Sequence, residues 1–216
     1  MHIPDGLMWP AVLAVGWIIS LAVLALSVRK ASSAVPPERV PLLALLAAGI
    51  FVAQMLNFPI GGGTTGHLVG AALATAVLGF SPAILVITSV LIVQALLFGD
   101  GGITAFGLNV LNMGIIGCVT AYLVLSRASG RLRKPAIFLA SWLAVFLGAL
   151  ACSIELGASY SLSNGAFGIP IQIALPAMLA YHALIGIGEG ALTLGILAYL
   201  SHVLPEEFGH AVPARG

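Results

Sequence analysis

From position 40 to position 99 the chain has no Asp, Glu, Lys or Arg. Ordinary soluble domains carry about 25% charged residues, spread along their whole length. Over all 216 positions charged residues amount to only 7%, against 60% hydrophobic ones. No soluble core of this size hides so much apolar surface, so the chain is read as an all-α polytopic membrane protein. The net charge of +1, without a long basic run, gives no sign of a nucleic-acid partner. Cys118 and Cys152 both fall inside apolar stretches, which argues against a disulfide and for small-residue packing. The N-terminus has no basic n-region and no small-residue cleavage site, so a cleavable signal peptide is not expected.

Apolar runs of spanning length, about 17–25 residues, are separated by Pro, Gly and charge. They give seven expected spans: 8–28, 41–57, 65–78, 81–98, 105–125, 135–155 and 175–203. Pro41 and Pro135 suit a first helical turn, where the missing N–H is no loss. Phe58-Pro59-Ile60-Gly61-Gly62-Gly63 breaks the second span, and Thr64 or Thr65 is expected to cap the third. Ser81-Pro82 opens the fourth span and Gly99-Asp100-Gly101-Gly102 closes it. Residues 157–168 read as a Gly/Ser-rich loop before the last span. The whole chain reads as one integral membrane domain, with a candidate metal-binding N-terminus at 1–7, a bundle at 8–203 and a polar tail at 204–216.

All eight Lys and Arg lie in the links after spans one and five or in the tail. With seven spans these segments share one side, cytoplasmic by the positive-inside rule. The N-terminus is then outside and the C-terminus cytoplasmic. His2 and the turn before His67 share the external face, although far apart in the chain.

That placement matters because of Met1-His2-Ile3-Pro4-Asp5-Gly6. A histidine at position two offers a metal three nitrogens from one short piece of chain. These are the α-amine of Met1, the deprotonated amide of His2 and the His2 imidazole, which closes a six-membered ring through Nδ1. Such a plane suits a divalent late transition metal, Ni(II) or Cu(II) by geometry and Co(II) by ligand type. The bland alternative is a polar residue near a membrane surface. His67, beside a triple glycine, is a candidate fourth nitrogen, or else a helix-start histidine bonded to a loop carbonyl. Asp100 is read either as an acceptor that orients a ligand histidine or as a holder of its turn. Asn57 and Asn109 are read as members of a polar network, and Glu155 as a carboxylate snorkelling to the outer surface.

His182 and Glu189 are seven residues apart on one expected helix and share a face. At 1.5 Å per residue Glu189 stands roughly 20 Å inside the last span, where an ionisable group faces the bundle interior and carries a function by default. The structural alternative is a carboxyl that bridges helices. Gly186, Gly188 and Gly190 follow no strand and read as close helix packing. Ala44 and Ala48 form a small-residue face on the second span. No P-loop and no His-Glu-x-x-His motif is present, and neither Ser159 nor Ser163 sits in a nucleophile motif. His202 and His210 read as incidental.

Four motifs recur together in this order: Met1-His2-Ile3-Pro4-Asp5-Gly6, Gly66-His67 after a glycine-rich turn, Phe98-Gly99-Asp100-Gly101-Gly102-Ile103-Thr104-Ala105, and His182-Ala183-Leu184-Ile185-Gly186-Ile187-Gly188-Glu189. Through them the chain resembles the CbiM/NikM family, the substrate-binding (S) components of cobalt and nickel energy-coupling-factor (ECF) transporters. The resemblance implies a six-helix core preceded by one extra N-terminal helix. It also implies a square-planar N4 site from Met1, His2 and His67, with Asp100, Asn109, His182 and Glu189 as candidates for outer-shell or pathway roles. Its implied partners are a transmembrane coupling (T) subunit, two ATP-binding-cassette ATPases and a CbiN/NikN-type accessory membrane protein. Ala44 and Ala48 match the face that meets the T subunit in S components, and the chain's length argues for a separate accessory subunit rather than a fused one.

The expected function is thus capture of Co2+ or Ni2+ at the outer face of a prokaryotic cell membrane, for delivery inward at the expense of ATP hydrolysed by partners. In the cobalt case the metal serves cobalamin biosynthesis. No permanently bound cofactor and no enzymatic activity are expected. The competing readings are a self-sufficient carrier or channel using His182 and Glu189 as a relay, and an intramembrane enzyme, for which the motifs are missing.

Overall fold

A computed structural model describes residues 1–60 and 64–208 and contains six helices long and apolar enough to cross a membrane. Helix α1 spans Pro10–Ala34 and α2 spans Val40–Gln54. Strands β1, Phe58–Ile60, and β2, Thr64–Gly66, pair antiparallel with Phe58 opposite Gly66. Helix α3 is the short Ala71–Leu78. Then come α4, Phe80–Phe98, and α5, Phe106–Leu125, α6, Arg133–Leu162, and α7, Ile171–Val203. A final turn, α8, covers Pro205–Phe208. The glycines at 61–63 and the tail from 209 on, with His210 and Arg215, lie outside the described residues.

The third expected span needs correction. Residues 64–66 belong to a strand, residues 67–70 are irregular, and a helix begins only at Ala71. Thr64 and Thr65 therefore cap no helix. Gly70 occupies the cap position at φ +78°, a conformation open to glycine because it lacks Cβ. A Cβ there would also stand 2.8 Å from two carbons of Ile50, so α2 approaches this segment closely. At eight residues α3 is too short to cross a bilayer alone.

Three other boundaries move outward. Helix α6 continues to Leu162 and α7 starts at Ile171, so the first half of the loop expected at 157–168 is helical. Earlier serines of α6 are accommodated in the helix, because Ser153 and Ser141 return their hydroxyls to the carbonyls of Ala149 and Ile137 one turn earlier. Helix α1 likewise runs through Arg29 and Lys30 to Ala34.

Small residues set the helix contacts. At the α1–α5 crossing a Cβ on Gly107 would meet the Trp17 backbone at 2.6 Å, and Ser20 donates to the Gly107 carbonyl. Between α6 and α7, the Trp142 and Phe138 rings lie on Gly186 and Gly190, whereas Gly188 faces open space. Met1, Ile3 and Met8 join the core formed by the inner faces of α3–α7. The chain's first residues are therefore part of the bundle's interior.

Candidate metal centre

The path of residues 1–9 is fixed by hydrogen bonds from four places. Asn109 on α5 grips the main chain of Ile3 from both sides: its Oδ1 accepts from Ile3 N–H (2.8 Å) and its Nδ2 donates to the Ile3 carbonyl (3.1 Å). Gly102 N–H also donates to the Ile3 carbonyl (2.8 Å). The Asp5 carboxylate accepts from the N–H groups of Ile103 and Thr104 and from the Thr104 hydroxyl. Those bonds, the hydroxyl foremost, hold its pKa below the usual value. Further on, Gly168 N–H donates to the Leu7 carbonyl, and Trp9 N–H to Ser159 Oγ.

This arrangement explains why the turn after α4 is so rich in glycine. A Cβ on Gly102 would stand 2.4 Å from Asp5 N, and one on Gly101 2.9 Å from His2 Cδ2. Gly99 and Gly101 also adopt positive φ, +65° and +92°. The N-terminal stretch is laid directly against this turn.

The placement brings His2 and His67 together. Their rings stack at 4.5 Å between centroids with 28° between planes, and both are buried, at 3% and 1% exposure. His2 Nε2 lies 3.1 Å from Gln94 Oε1. An amide oxygen only accepts, so Nε2 carries the hydrogen and Nδ1 is bare. His67 Nδ1 faces the Leu68 carbonyl at 2.5 Å, which by the same logic leaves Nε2 bare. Both bare nitrogens, His2 Nδ1 and His67 Nε2, are buried without a hydrogen-bond partner. Asp100 Oδ1 stands 3.3 Å from His2 Nδ1, in a geometry that makes no hydrogen bond. A lone pair and a carboxylate oxygen that close repel each other, and a cation beside them would relieve the repulsion.

Electrostatics point the same way. Burial pushes the Met1 amine down to about 5 and the His2 imidazole down to about 3. Both are thus neutral at pH 7 and available as electron-pair donors. Burial raises the pKa of Asp100 while the hydrogen bond from Asn57 Nδ2 (2.9 Å) opposes the rise. No three His, Cys, Asp or Glu side chains gather into a metal-holding group among the described residues. A metal beside His2 and His67 would have to draw on main-chain or terminal nitrogen as well.

The remaining candidates fall in different places. Glu189 on α7 is 3% exposed and accepts from Val69 N–H (2.8 Å) and Gly70 N–H (2.6 Å), while Gln54 on α2 donates to the Val69 carbonyl (2.7 Å). Together they clamp the segment that carries His67, so Glu189 acts as the inter-helix bridge. His182 is fully buried, with Nδ1 against the Met178 carbonyl (2.7 Å) and Nε2 without a partner, close enough to influence His67 electrostatically. Glu155 does not snorkel: it accepts from Asn112 Nδ2 at 2.7 Å inside the bundle. Ala44 and Ala48 lie exposed on the outer face of α2. His67 itself precedes α3 by four residues instead of starting a helix.

Sequence reasoning missed Gln94, the fully buried partner of His2. The available signal was an amide inside an apolar span close to the glycine turn. Gln94 opens a π-helical turn, Gln94–Phe98, and a second one, Val110–Ile116, follows Asn109. Such widened turns concentrate at functional sites because they redirect one side chain out of register.

Comparison with known proteins identifies the family. Residues 2–207 match the family model described as the cobalt uptake substrate-specific transmembrane region, CbiM. The chain belongs to the CbiM family. A Haloquadratum walsbyi protein that carries a metal-transport name is 41% identical over 95% of this chain and 92% of its own length. The fused nickel transport protein NikMN of Rhodobacter capsulatus is 37% identical, with 95% of this chain aligned to 63% of that protein. The crystal structure of a transition metal transporter superposes with a TM-score of 0.89 at 33% identity, covering 99% of this chain and all of that one (100%). This CbiM-family chain is thus a multi-pass membrane component of prokaryotic cobalt and nickel transport.

Proposed function

We propose that the chain is the substrate-binding subunit of an ATP-driven importer of the energy-coupling-factor kind, and that it holds Ni2+ or Co2+ in a plane of four nitrogens. The four are the Met1 amine, the deprotonated main-chain nitrogen of His2, His2 Nδ1 and His67 Nε2. One observation supports this above the others: the two stacked, buried imidazoles each keep a ring nitrogen without a hydrogen-bond partner. Gln94 and the Leu68 carbonyl orient the two rings by their opposite nitrogens, the usual arrangement for metal-binding histidines. A neutral amine and neutral imidazoles favour a late divalent metal over Mg2+ or Ca2+, which prefer oxygen.

In this reading residues 1–7 form the metal-binding part, the N-terminus faces outside and the tail faces the cytoplasm. Helix α1 is the added helix that delivers the N-terminus to a six-helix core. A T subunit, two ATPases and a CbiN/NikN-type accessory protein complete the transporter, and the exposed Ala44–Ala48 face of α2 is the surface offered to the T subunit. In the cobalt case the metal goes to cobalamin synthesis. The relay reading loses ground, since both Glu189 oxygens are occupied by main-chain N–H groups.

The test is a Ni2+ and Co2+ titration of detergent-purified protein with its native N-terminus, beside a form with one Gly added before Met1. The native form is expected to bind one metal with planar d–d bands, and the added residue to abolish them. Equal binding by both forms overturns the assignment of Met1, His2 and His67.

A further inference from the structure

At the opposite end of the bundle from Met1, the link between α1 and α2 roofs a cavity of about 630 Å3. Lys30, at the end of α1, and Arg39, just before α2, stand at its edge, and the first turn of α4 with Ser81 lines it. The walls are apolar, with Leu43, Val119 and the Phe80–Tyr122 pair, whose rings lie 5.6 Å apart.

Four features of this cavity favour an anion with an apolar body. Neither the Lys30 nor the Arg39 side chain has an ion-pair or hydrogen-bond partner among the described residues. No Asp or Glu lines the cavity. The Ser81 hydroxyl is 9% exposed by residue and bonds to nothing among the described residues. Helix α4 has no capping side chain and no acidic residue in its first turn, so free N–H groups and the positive end of its dipole remain at the cavity. A soluble phosphate would use the donors but leave the apolar walls wet. The cavity lies at the level where all seven described Lys and Arg gather beside apolar helix ends, the level of lipid headgroups.

We propose that this cavity seats one anionic phospholipid, its phosphate between Lys30, Arg39 and the Ser81 end of α4, and an acyl chain along Leu43 and Val119. The lipid then ties the α1–α2 link to the α3–α4 turn, and so braces the basic end independently of metal. This inference stands apart from the metal site and is tested without metal.

The full chain would be delipidated in detergent and given phosphatidylglycerol or phosphatidylcholine, with native mass spectrometry counting bound lipid and Tm read in parallel. One phosphatidylglycerol is expected to remain bound and to raise Tm, and phosphatidylcholine is expected to do neither. Lys30→Gln with Arg39→Gln should weaken binding roughly thirty-fold, at about five-fold per cation at a membrane surface. Arg131→Gln, an exposed cation at the same end but outside the cavity, should leave binding unchanged. A Val119→Trp variant fills the acyl slot and should lose the lipid while Lys30 and Arg39 stay in place. The proposal is overturned if the two lipids bind equally, if Arg131→Gln weakens binding as much as the double variant, or if millimolar inorganic phosphate alone gives the same Tm gain.

Discussion

The two ends of this bundle handle polarity in opposite ways. At the His2–His67 end, polar groups are tied to main chain: the buried Asn109 to Ile3, the buried Gln54 and Glu189 to the residues after His67, and the exposed Asp5 to Ile103 and Thr104. At the basic end, cations stand exposed near helix ends, and Arg127 donates to the Leu123 carbonyl one turn earlier. Buried polar groups are costly unless satisfied, so a polar interior survives only as a complete network, and a complete network specifies geometry. Exposed charges cost little and specify orientation in the membrane. One end is built for precision and the other for placement.

Replacing Gly102 by Ala should break the comparison most. Its Cβ would lie 2.4 Å from Asp5 N and 2.7 Å from the Pro4 carbonyl carbon, so the N-terminal stretch must leave its seat. Overpacking of this kind costs about 1–3 kcal/mol. Nickel affinity measured by titration should drop by roughly ten- to hundred-fold, while circular dichroism stays helical. The matching change at the other end, Arg131→Gln, should change stability by less than about 0.5 kcal/mol, read from thermal unfolding.

A smaller effect is expected for Glu189→Gln. The amide keeps one acceptor oxygen, so one of the Val69 and Gly70 N–H groups is left unsatisfied in a buried place. The cost is about 1–3 kcal/mol, spread between stability and the position of His67. Faster hydrogen exchange at the amides of Val69 and Gly70, with exchange elsewhere on α7 unchanged, would support the clamp. Unchanged exchange would leave Glu189 without the bridging role.

The smallest effect is a pH dependence at Asp5. Its folded pKa lies below the ordinary 3.8, so its stabilising bonds are complete above that pH and are lost as pH falls through the folded value. Because Asp5 is exposed, solvent screens the effect. Amide exchange at Ile103 and Thr104, corrected for intrinsic rates, should rise by less than about threefold between pH 6 and pH 3. The metal-free basic end should show no such step.

Much of the helix plan was legible beforehand because spanning length and turn residues are local. Ala105–Leu125 was expected and Phe106–Leu125 is observed; the end of α4 at Phe98 and of α7 at Val203 fell where expected. The end of α3 at Leu78 also fell where expected but its start did not, since that depends on a carboxylate from residue 189 reaching residues 69 and 70. Nor could spacing show that Gln94 would orient His2, or that Asp5 would fasten to Thr104, because those partners lie about ninety to a hundred residues apart.

Hydropathy alone committed this chain to a membrane, since sixty consecutive uncharged, mostly apolar positions cannot be solvated and must be covered by lipid or by one another. His2, read with the neighbouring Met1 amine, already contained the chemistry of a nitrogen chelate, because five- and six-membered rings follow from covalent bonding. The meeting of His2 with His67, the burial that keeps Met1 neutral, and the clamp around residues 67–70 came only from tertiary packing. Those features arise from groups distant in the chain competing for the same buried space, where every donor and acceptor has to be matched at once.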